Sequence, residues 1–175
     1  MQKDLGKYFG SAMMIGFGAL ALYRWYQTQV LFFLLLVLRD FTAGYFFFKR
    51  NSAIARGSQF LNILAYFSSA MPLLYFGPST IAKSIFLFAD LLSIAGFVIV
   101  VFATVELGTS IGISPANRGL VRTGIYQHIR HPMYLGYVIS EMGLILLNSL
   151  NVVMFLVSTS LYIFRAKSEK RILEI

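Results

Sequence analysis

The sequence predicts an all-α fold, a polytopic bundle of membrane helices, and three observations carry that assignment. The chain has 175 residues, 58% of them hydrophobic, including 17 Phe and 10 Tyr. Only 13% are charged, about half of the ~25% usual in a soluble domain, and the mean hydropathy is +0.72. The apolar residues also fall in long runs, of the kind that needs ~20 residues to cross a bilayer. A water-soluble enzyme, a disordered chain and a fibrous protein are excluded together. Helix is the state these runs must take, because an open strand in lipid leaves backbone groups without partners.

The first span is expected from Tyr8 to Tyr23, rich in small residues such as Gly10, Ser11, Ala12, Gly16 and Gly18. Such residues let helix backbones approach closely where lipid gives no hydrophobic drive for association. Gly6 and Gly10 have GxxxG spacing. Arg24 and Trp25 follow the run in place of a small-residue cleavage site, so it is expected to stay as a span and not to be removed. A second span runs from Gln29 to Phe48 and contains Arg39 and Asp40. A third covers Phe60 to Phe76 and is closed by Gly77-Pro78; a fourth covers Ile85 to Val105, with Asp90 inside it.

The longest polar stretch follows, from Glu106 to Pro132. Gly108, Gly112, Pro115, Gly119, Gly124 and Pro132 punctuate it against one continuous helix. The apolar region from Met133 to Phe164 would be roughly 48 Å long as a single helix, too long for a core of about 30 Å. Asn148-Ser149-Leu150-Asn151 is its natural break, which predicts a tight helical hairpin. The tail from Arg165 to Ile175 is charged and helical in character. The chain thus divides into N-terminal membrane helices, 1–105, and a C-terminal part, 106–175, within one integral membrane domain.

Fifteen Lys and Arg against seven Asp and Glu give a net charge of +8. In a soluble protein that balance would raise nucleic-acid binding; here the basic residues sit at the ends of apolar runs, so nucleic acid is not expected and membrane orientation is. With a cytoplasmic N-terminus, that side collects Lys3, Lys7, Lys49, Arg50, Arg56, Arg118, Arg122, Arg130, Arg165, Lys167, Lys170 and Arg171. The far side collects Arg24 and Lys83. The bias puts both termini, the Gly-rich loop and the tail on the cytoplasmic face of a multi-pass protein, and polar chemistry is to be sought where loop and tail meet. The brevity of the chain points to a prokaryotic plasma membrane. With no Cys and two His, no metal centre is expected.

Arg130-His131-Pro132-Met133-Tyr134 marks the junction of loop and helix. Pro132 suits the first turn of a helix, where its missing N–H costs nothing. The free backbone donors of that turn, with Arg130 and His131 beside them, favour an anion. The alternative is that Arg130 snorkels to headgroups and His131 is a satisfied interfacial residue. Helical spacing carries Tyr134, Val138 and Glu141 onto one face with His131. Glu141 lies about ten residues into an apolar helix, where an ionisable group faces a protein interior, a partner or water. It is either structural, as a partner for Arg39 or as a neutral, protonated Glu, or part of a substrate site. Asp40 and Asp90 either line a polar cavity or, the favoured reading, bond helix to helix, with Arg39 and Asp40 as a pair near one membrane face. Glu169 follows Arg165 by one turn, either as a solvated pair or with a partner on the Gly-rich loop.

The stretch from Leu107 to Gly136 resembles the isoprenylcysteine carboxyl methyltransferase family, whose wider relatives are the membrane phospholipid methyltransferases. The hallmark G-x-Y-x-x-x-R-H-P-x-Y-x-G reads here as Gly124, Tyr126, Arg130, His131, Pro132, Tyr134 and Gly136. A second element, an Arg followed by a Glu pair and a Leu, reads as Arg165, Glu169, Lys170 and Leu173. The resemblance implies a membrane methyltransferase that uses S-adenosyl-L-methionine on its cytoplasmic side and takes a lipophilic methyl acceptor from the bilayer. It implies cofactor contacts for Arg130, His131 and Glu169, with Tyr126, Tyr134, Gly124, Pro132 and Gly136 shaping the cavity. For a carboxylate acceptor, Arg130 or Arg165 would orient it, and Glu141 joins them as a catalytic candidate.

Two departures stand against the family pattern. Lys170 replaces the second Glu of the pair, and the sequence ends two residues after Leu173, where relatives run on with an aromatic, basic segment. Two other readings stay open. Membrane sterol reductases look similar around an Arg-His-Pro-x-Tyr-x-Gly element and use a dinucleotide, although the short chain argues against them. A non-catalytic membrane protein that binds a lipid or small ligand is the other.

Overall fold

The computed structural model describes residues 5–51, 53, 55–113, 116–118 and 121–173. Lys3, Pro115, Gly119 and the last two residues lie outside the described residues, as do the side chains of Arg56 and Leu173. Among the described residues there are six α-helices, namely α1 (Leu5–Thr28), α2 (Leu31–Lys49), α3 (Gln59–Ala70), α4 (Lys83–Leu107), α5 (Pro132–Leu147) and α6 (Asn151–Leu173). The fold is all-α apart from one minimal ladder. Two-residue strands β1 (Ala55–Arg56) and β2 (Ala116–Asn117) pair antiparallel, Ala55 opposite Asn117.

Two helical stretches are long and apolar enough to cross a bilayer, Leu31–Lys49 with 19 residues and Lys83–Ser110 with 28. They correspond to the second and fourth spans expected from the sequence. The first expected span is a helix of 24 residues, but Lys7, Arg24 and Gln27 dilute its apolar character. The third is cut to 12 residues, because Pro72 sits in a 3-10 turn, Met71–Leu74, that ends the helix. Proline lacks the N–H that would continue the ladder. Large apolar side chains lie exposed on every helix, among them Leu20, Leu38, Ile63, Phe102, Met142 and Leu156. So extensive an exposed apolar surface belongs against lipid.

The helices are held by close approach and by a few buried polar links. Along the α4–α5 seam, a Cβ built on Gly136 would lie 2.6 Å from the carbonyl oxygen of Gly96, and one on Gly143 would lie 2.5 Å from that of Ala89. Only hydrogen fits at such a contact, which is the small-residue packing that membrane helices use. On α1, a Cβ at Gly10 would meet the Phe47 ring at 2.7 Å, and Ser11 Oγ donates to the Gly44 carbonyl at 2.8 Å. Asp90 of α4 comes near the backbone N–H of Leu31, one of the donors that the first turn of α2 leaves free.

The two ends of the bundle are built differently. At one end the α5–α6 turn, Asn148 to Leu150, is stitched to the segment after α3. Ser79 N donates to the Leu147 carbonyl at 3.0 Å, and Asn148 Nδ2 donates to that of Gly77 at 3.0 Å. Asn151, fully buried, takes the Phe76 N–H on Oδ1 at 2.8 Å. Arg24 completes this end with a hydrogen bond to the Tyr75 carbonyl. The opposite end carries the loop between α4 and α5, where Asn51 N reaches the Thr109 carbonyl at 2.9 Å and the β1–β2 ladder forms. The loop and the end of α6 thus meet at the same end of the molecule, and there the cavity lies.

Candidate functional site

A cavity of about 180 Å³ opens between the α4–α5 loop and the helix ends. Its polar wall comes from the C-terminal half: Tyr126 and Arg130 of the loop, His131 and Tyr134 at the start of α5, and Arg165 and Glu169 of α6. The N-terminal half contributes apolar Met14, Ala43, Phe47 and Pro72, with Arg39, Ser68 and Ser69 among them.

Tyr134, His131 and Glu169 form one linked group. Tyr134 Oη donates to Glu169 Oε1, and His131 Nδ1 lies 3.6 Å from Glu169 Oε2. The His131 and Tyr134 rings stack with centroids 5.7 Å apart, and Tyr134 stacks in turn on Tyr162 at 5.6 Å. The Arg165 guanidinium lies 5.2 Å from the Tyr134 ring centre, within cation–π range. Local sequence explains the grouping. Pro132 starts α5 at its first position with His131 as the N-cap residue, which sets His131 and Tyr134 on neighbouring turns. One turn separates Arg165 from Glu169 on α6, so both face the same wall.

Arg165 is buried and mostly engaged. Its Nη2 donates to the Ile113 carbonyl at 2.7 Å, and its Nη1 reaches Ser68 Oγ at 3.4 Å and Ser69 Oγ at 3.5 Å. It ties the loop to α3 as well as lining the cavity. Tyr126 is half-buried, and burial pushes its phenol above the ordinary value, so it stands as a neutral hydroxyl.

Four of the residues singled out from sequence do not line the cavity. Gly124 has φ +50°, a conformation that favours glycine, and a Cβ there would collide with the Glu106 carboxylate. Glu106 Oε2 accepts the neighbouring Ile125 N–H at 2.8 Å, so this pair fixes the turn that presents Tyr126. Pro132 is buried at the helix start, and Gly136 faces α4 in the tight seam. Glu141 lies deeper than the cavity. It accepts from Tyr162 Oη at 2.6 Å and from Tyr75 Oη at 2.9 Å, in a buried polar knot below Tyr162.

Reading the sequence alone missed two contributors. Glu106 gave no signal beyond ending an apolar run. In the sequence Arg39 reads as a partner of Asp40, whose Oδ1 does lie 2.8 Å from its Nε, and spacing does not mark Arg39 as lining this cavity. No group of three or more His, Cys, Asp or Glu among the described residues is placed to hold a metal ion.

The profile of the isoprenylcysteine carboxyl methyltransferase (ICMT) family matches residues 83–175, just over half of the chain and beginning at the first residue of α4. No curated protein and no solved structure matches the chain.

Proposed function

The chain belongs to the isoprenylcysteine carboxyl methyltransferase family, and from that premise we propose that it is a membrane methyltransferase using S-adenosyl-L-methionine on a lipophilic acceptor. The observation that carries the reading is the convergence of Tyr134, His131 and Glu169 on one cavity whose other side is lined by Met14, Ala43, Phe47 and Pro72. Neither part alone distinguishes a methyltransferase from a lipid-binding protein. Together they provide for a charged, polar donor and a greasy acceptor side by side.

The residues present suit the cofactor. Glu169 is an anion where an ammonium or ribose hydroxyls need an acceptor, and Arg130 offers a cation for a carboxylate. The face of Tyr126, which lines the cavity, suits a sulfonium, as aromatic rings attract cations. S-Adenosyl-L-methionine supplies a methyl group on a positively charged sulfur, ready for in-line displacement. What the protein must add is alignment and exclusion of water. His131 and Tyr134, locked by stacking and by Glu169, would fix the polar side of that alignment. Met14, Phe47 and Pro72 would dry the acceptor side. For a carboxylate acceptor the bound cofactor would supply the methyl group directly, so these residues would need to orient the carboxylate and would have no proton to move.

On this reading the cavity end faces the cytoplasm. Lys49, Arg50, Arg118, Arg122, Arg130, Lys167 and Lys170 gather at that end, against Arg24 and Lys83 at the other, and cytoplasmic loops carry such an excess. Calorimetric titration of S-adenosyl-L-methionine into the protein in nanodiscs, beside His131→Ala and Glu169→Gln, tests the proposal. Micromolar binding that both variants lose supports it. A well-folded protein that binds no S-adenosyl-L-methionine refutes it.

A further inference from the structure

Arg39 sits in the middle of α2, outside the family-matched segment, with only 6% of its surface exposed, and it lines the cavity. Its guanidinium is only partly engaged. Nη1 donates to Tyr137 Oη at 3.3 Å and the ring of Tyr137 lies 5.2 Å from the guanidinium carbon. Asp40 stands 2.8 Å from Nε, but without the alignment of a hydrogen bond. Nη2 is buried and has no partner at all. Asp40 does not line the cavity; it packs towards α1, where a Cβ on Gly18 would meet its own Cβ at 3.3 Å. The charge of Arg39 is therefore balanced from outside the cavity while a donor edge is left unused.

The other cations of the cavity are differently placed. Arg165 spends both terminal nitrogens on Ile113, Ser68 and Ser69. Arg130 is exposed at the mouth. The carboxylate that lines the cavity among the described residues, Glu169, is occupied by Tyr134 and His131. A buried N–H of a cation that goes unmatched is costly, and Arg39 is flanked by apolar side chains, Ala43 one turn along α2 and Pro72 beyond the end of α3.

We propose that Arg39 is the residue that binds the anionic group of the acceptor, so that the N-terminal half of the chain selects lipophiles carrying a carboxylate or a phosphate. The inference rests on the methyltransferase reading for the word acceptor, but the binding it describes does not need the cofactor. Arg39 presents its Nη2 edge to one anionic oxygen, and the apolar arm lies along Met14, Ala43 and Phe47. Arg165 then acts chiefly in holding the loop, and Arg39 takes over the orienting role first assigned to Arg130 or Arg165.

The test is equilibrium binding of radiolabelled hexadecanoic acid, hexadecyl phosphate and hexadecanol to the protein in nanodiscs, corrected for empty discs. S-Adenosyl-L-methionine affinity is measured on the same samples. The variants are Arg39→Lys, which keeps the charge, and Arg39→Gln with Asp40→Asn, which removes the ion pair without stranding a buried carboxylate. The wild type is expected to prefer the acid or the phosphate over the alcohol by about tenfold or more, the factor that 1.4 kcal/mol represents. Which anion is preferred identifies the source of the charge. In the double variant that preference collapses while S-adenosyl-L-methionine affinity stays within about threefold, roughly 0.7 kcal/mol; Arg39→Lys keeps part of it. A wild type with no preference, or a preference that survives in the double variant, overturns the proposal. So does a cofactor affinity that falls together with the preference, which would assign Arg39 to the cofactor. Failure of the wild type to bind S-adenosyl-L-methionine, with the anion preference intact, refutes the methyltransferase reading and leaves Arg39 as a lipid-anion site.

Discussion

Tyr134 donates its phenolic hydrogen to Glu169 Oε1, and that bond joins the first turn of α5 to the last turns of α6 at the wall of the cavity. The two residues are 35 positions apart, on either side of the hairpin turn, so the bond reports on the docking of the two helices as well as on the site. Tyr134→Phe keeps the stacked ring and removes only the donor. It is expected to lower the melting temperature by a few degrees, in keeping with the ~1.5–3 kcal/mol of a hydrogen bond to a charged group, and to weaken S-adenosyl-L-methionine binding by about tenfold, because Glu169 is no longer held in place. Calorimetry and a detergent melting curve on the one variant check both halves.

Glu141 is expected to behave differently. Its carboxyl takes the hydroxyls of Tyr75 and Tyr162 inside the bundle. Glu141→Ala leaves both buried donors unmatched, at about 1–3 kcal/mol each. The melting temperature should fall by several degrees while S-adenosyl-L-methionine affinity in the folded fraction changes less than about threefold, below 1 kcal/mol. A selective loss of binding without loss of stability would instead return Glu141 to the site.

Gly136→Val tests the seam. Its side chain would enter the space held by the Gly96 carbonyl and the Val100 side chain, so α4 and α5 must separate. Overpacking of this kind costs about 1–3 kcal/mol or more, and binding is lost only as far as folding is. Comparing the melting temperature with the affinity of the remaining folded protein distinguishes this from a direct role in the cavity.

Gly124→Ala and Glu106→Ala are expected to act alike, because they disturb the same turn from its two sides. The first forces a side chain into a left-handed conformation, at roughly 1–2 kcal/mol, and against Glu106. The second strips the Ile125 N–H of its acceptor. Both should speed proteolytic cleavage in the loop between α4 and α5 and reduce S-adenosyl-L-methionine affinity. Glu106→Gln, whose amide oxygen can still accept, should stay close to wild type. Limited proteolysis with mapping of the cut sites reads the difference.

Much of this was legible in the sequence, and the rest was not for identifiable reasons. The runs that became α2 and α4 are long and continuous, so composition alone located them. The break at Asn148 to Asn151 was visible because a helix of that length overshoots a bilayer. Pro72 was equally visible, yet averaged away within an apolar run, and so a 12-residue helix with a following turn read as a full span. The position of Glu141 along its helix could be counted, but its partners lie 66 and 21 residues away and depend on how the helices dock. Gly136 belongs to a motif that suggests a cavity, whereas its contact with Gly96 exists only once α4 and α5 are side by side. The face of α2 that carries Arg39 is likewise set by packing and not by spacing.

The asymmetry between the two ends of the bundle has a mechanical consequence. Around Asn148 and Asn151, side chains grip the backbone of the segment after α3 from several directions, so that end resists separation. At the other end, besides a two-residue ladder and the Asn51–Thr109 bond, the links among the described residues run through the cavity wall itself, Arg165 to Ile113, Ser68 and Ser69 and Tyr134 to Glu169, where a guest can take their place. If the helices splay to admit a bulky guest, the asparagine end is the fulcrum and the displacement grows with distance from it. The motion is then greatest at the mouth, where Arg130 and Glu169 stand, and least at the tyrosines around Glu141.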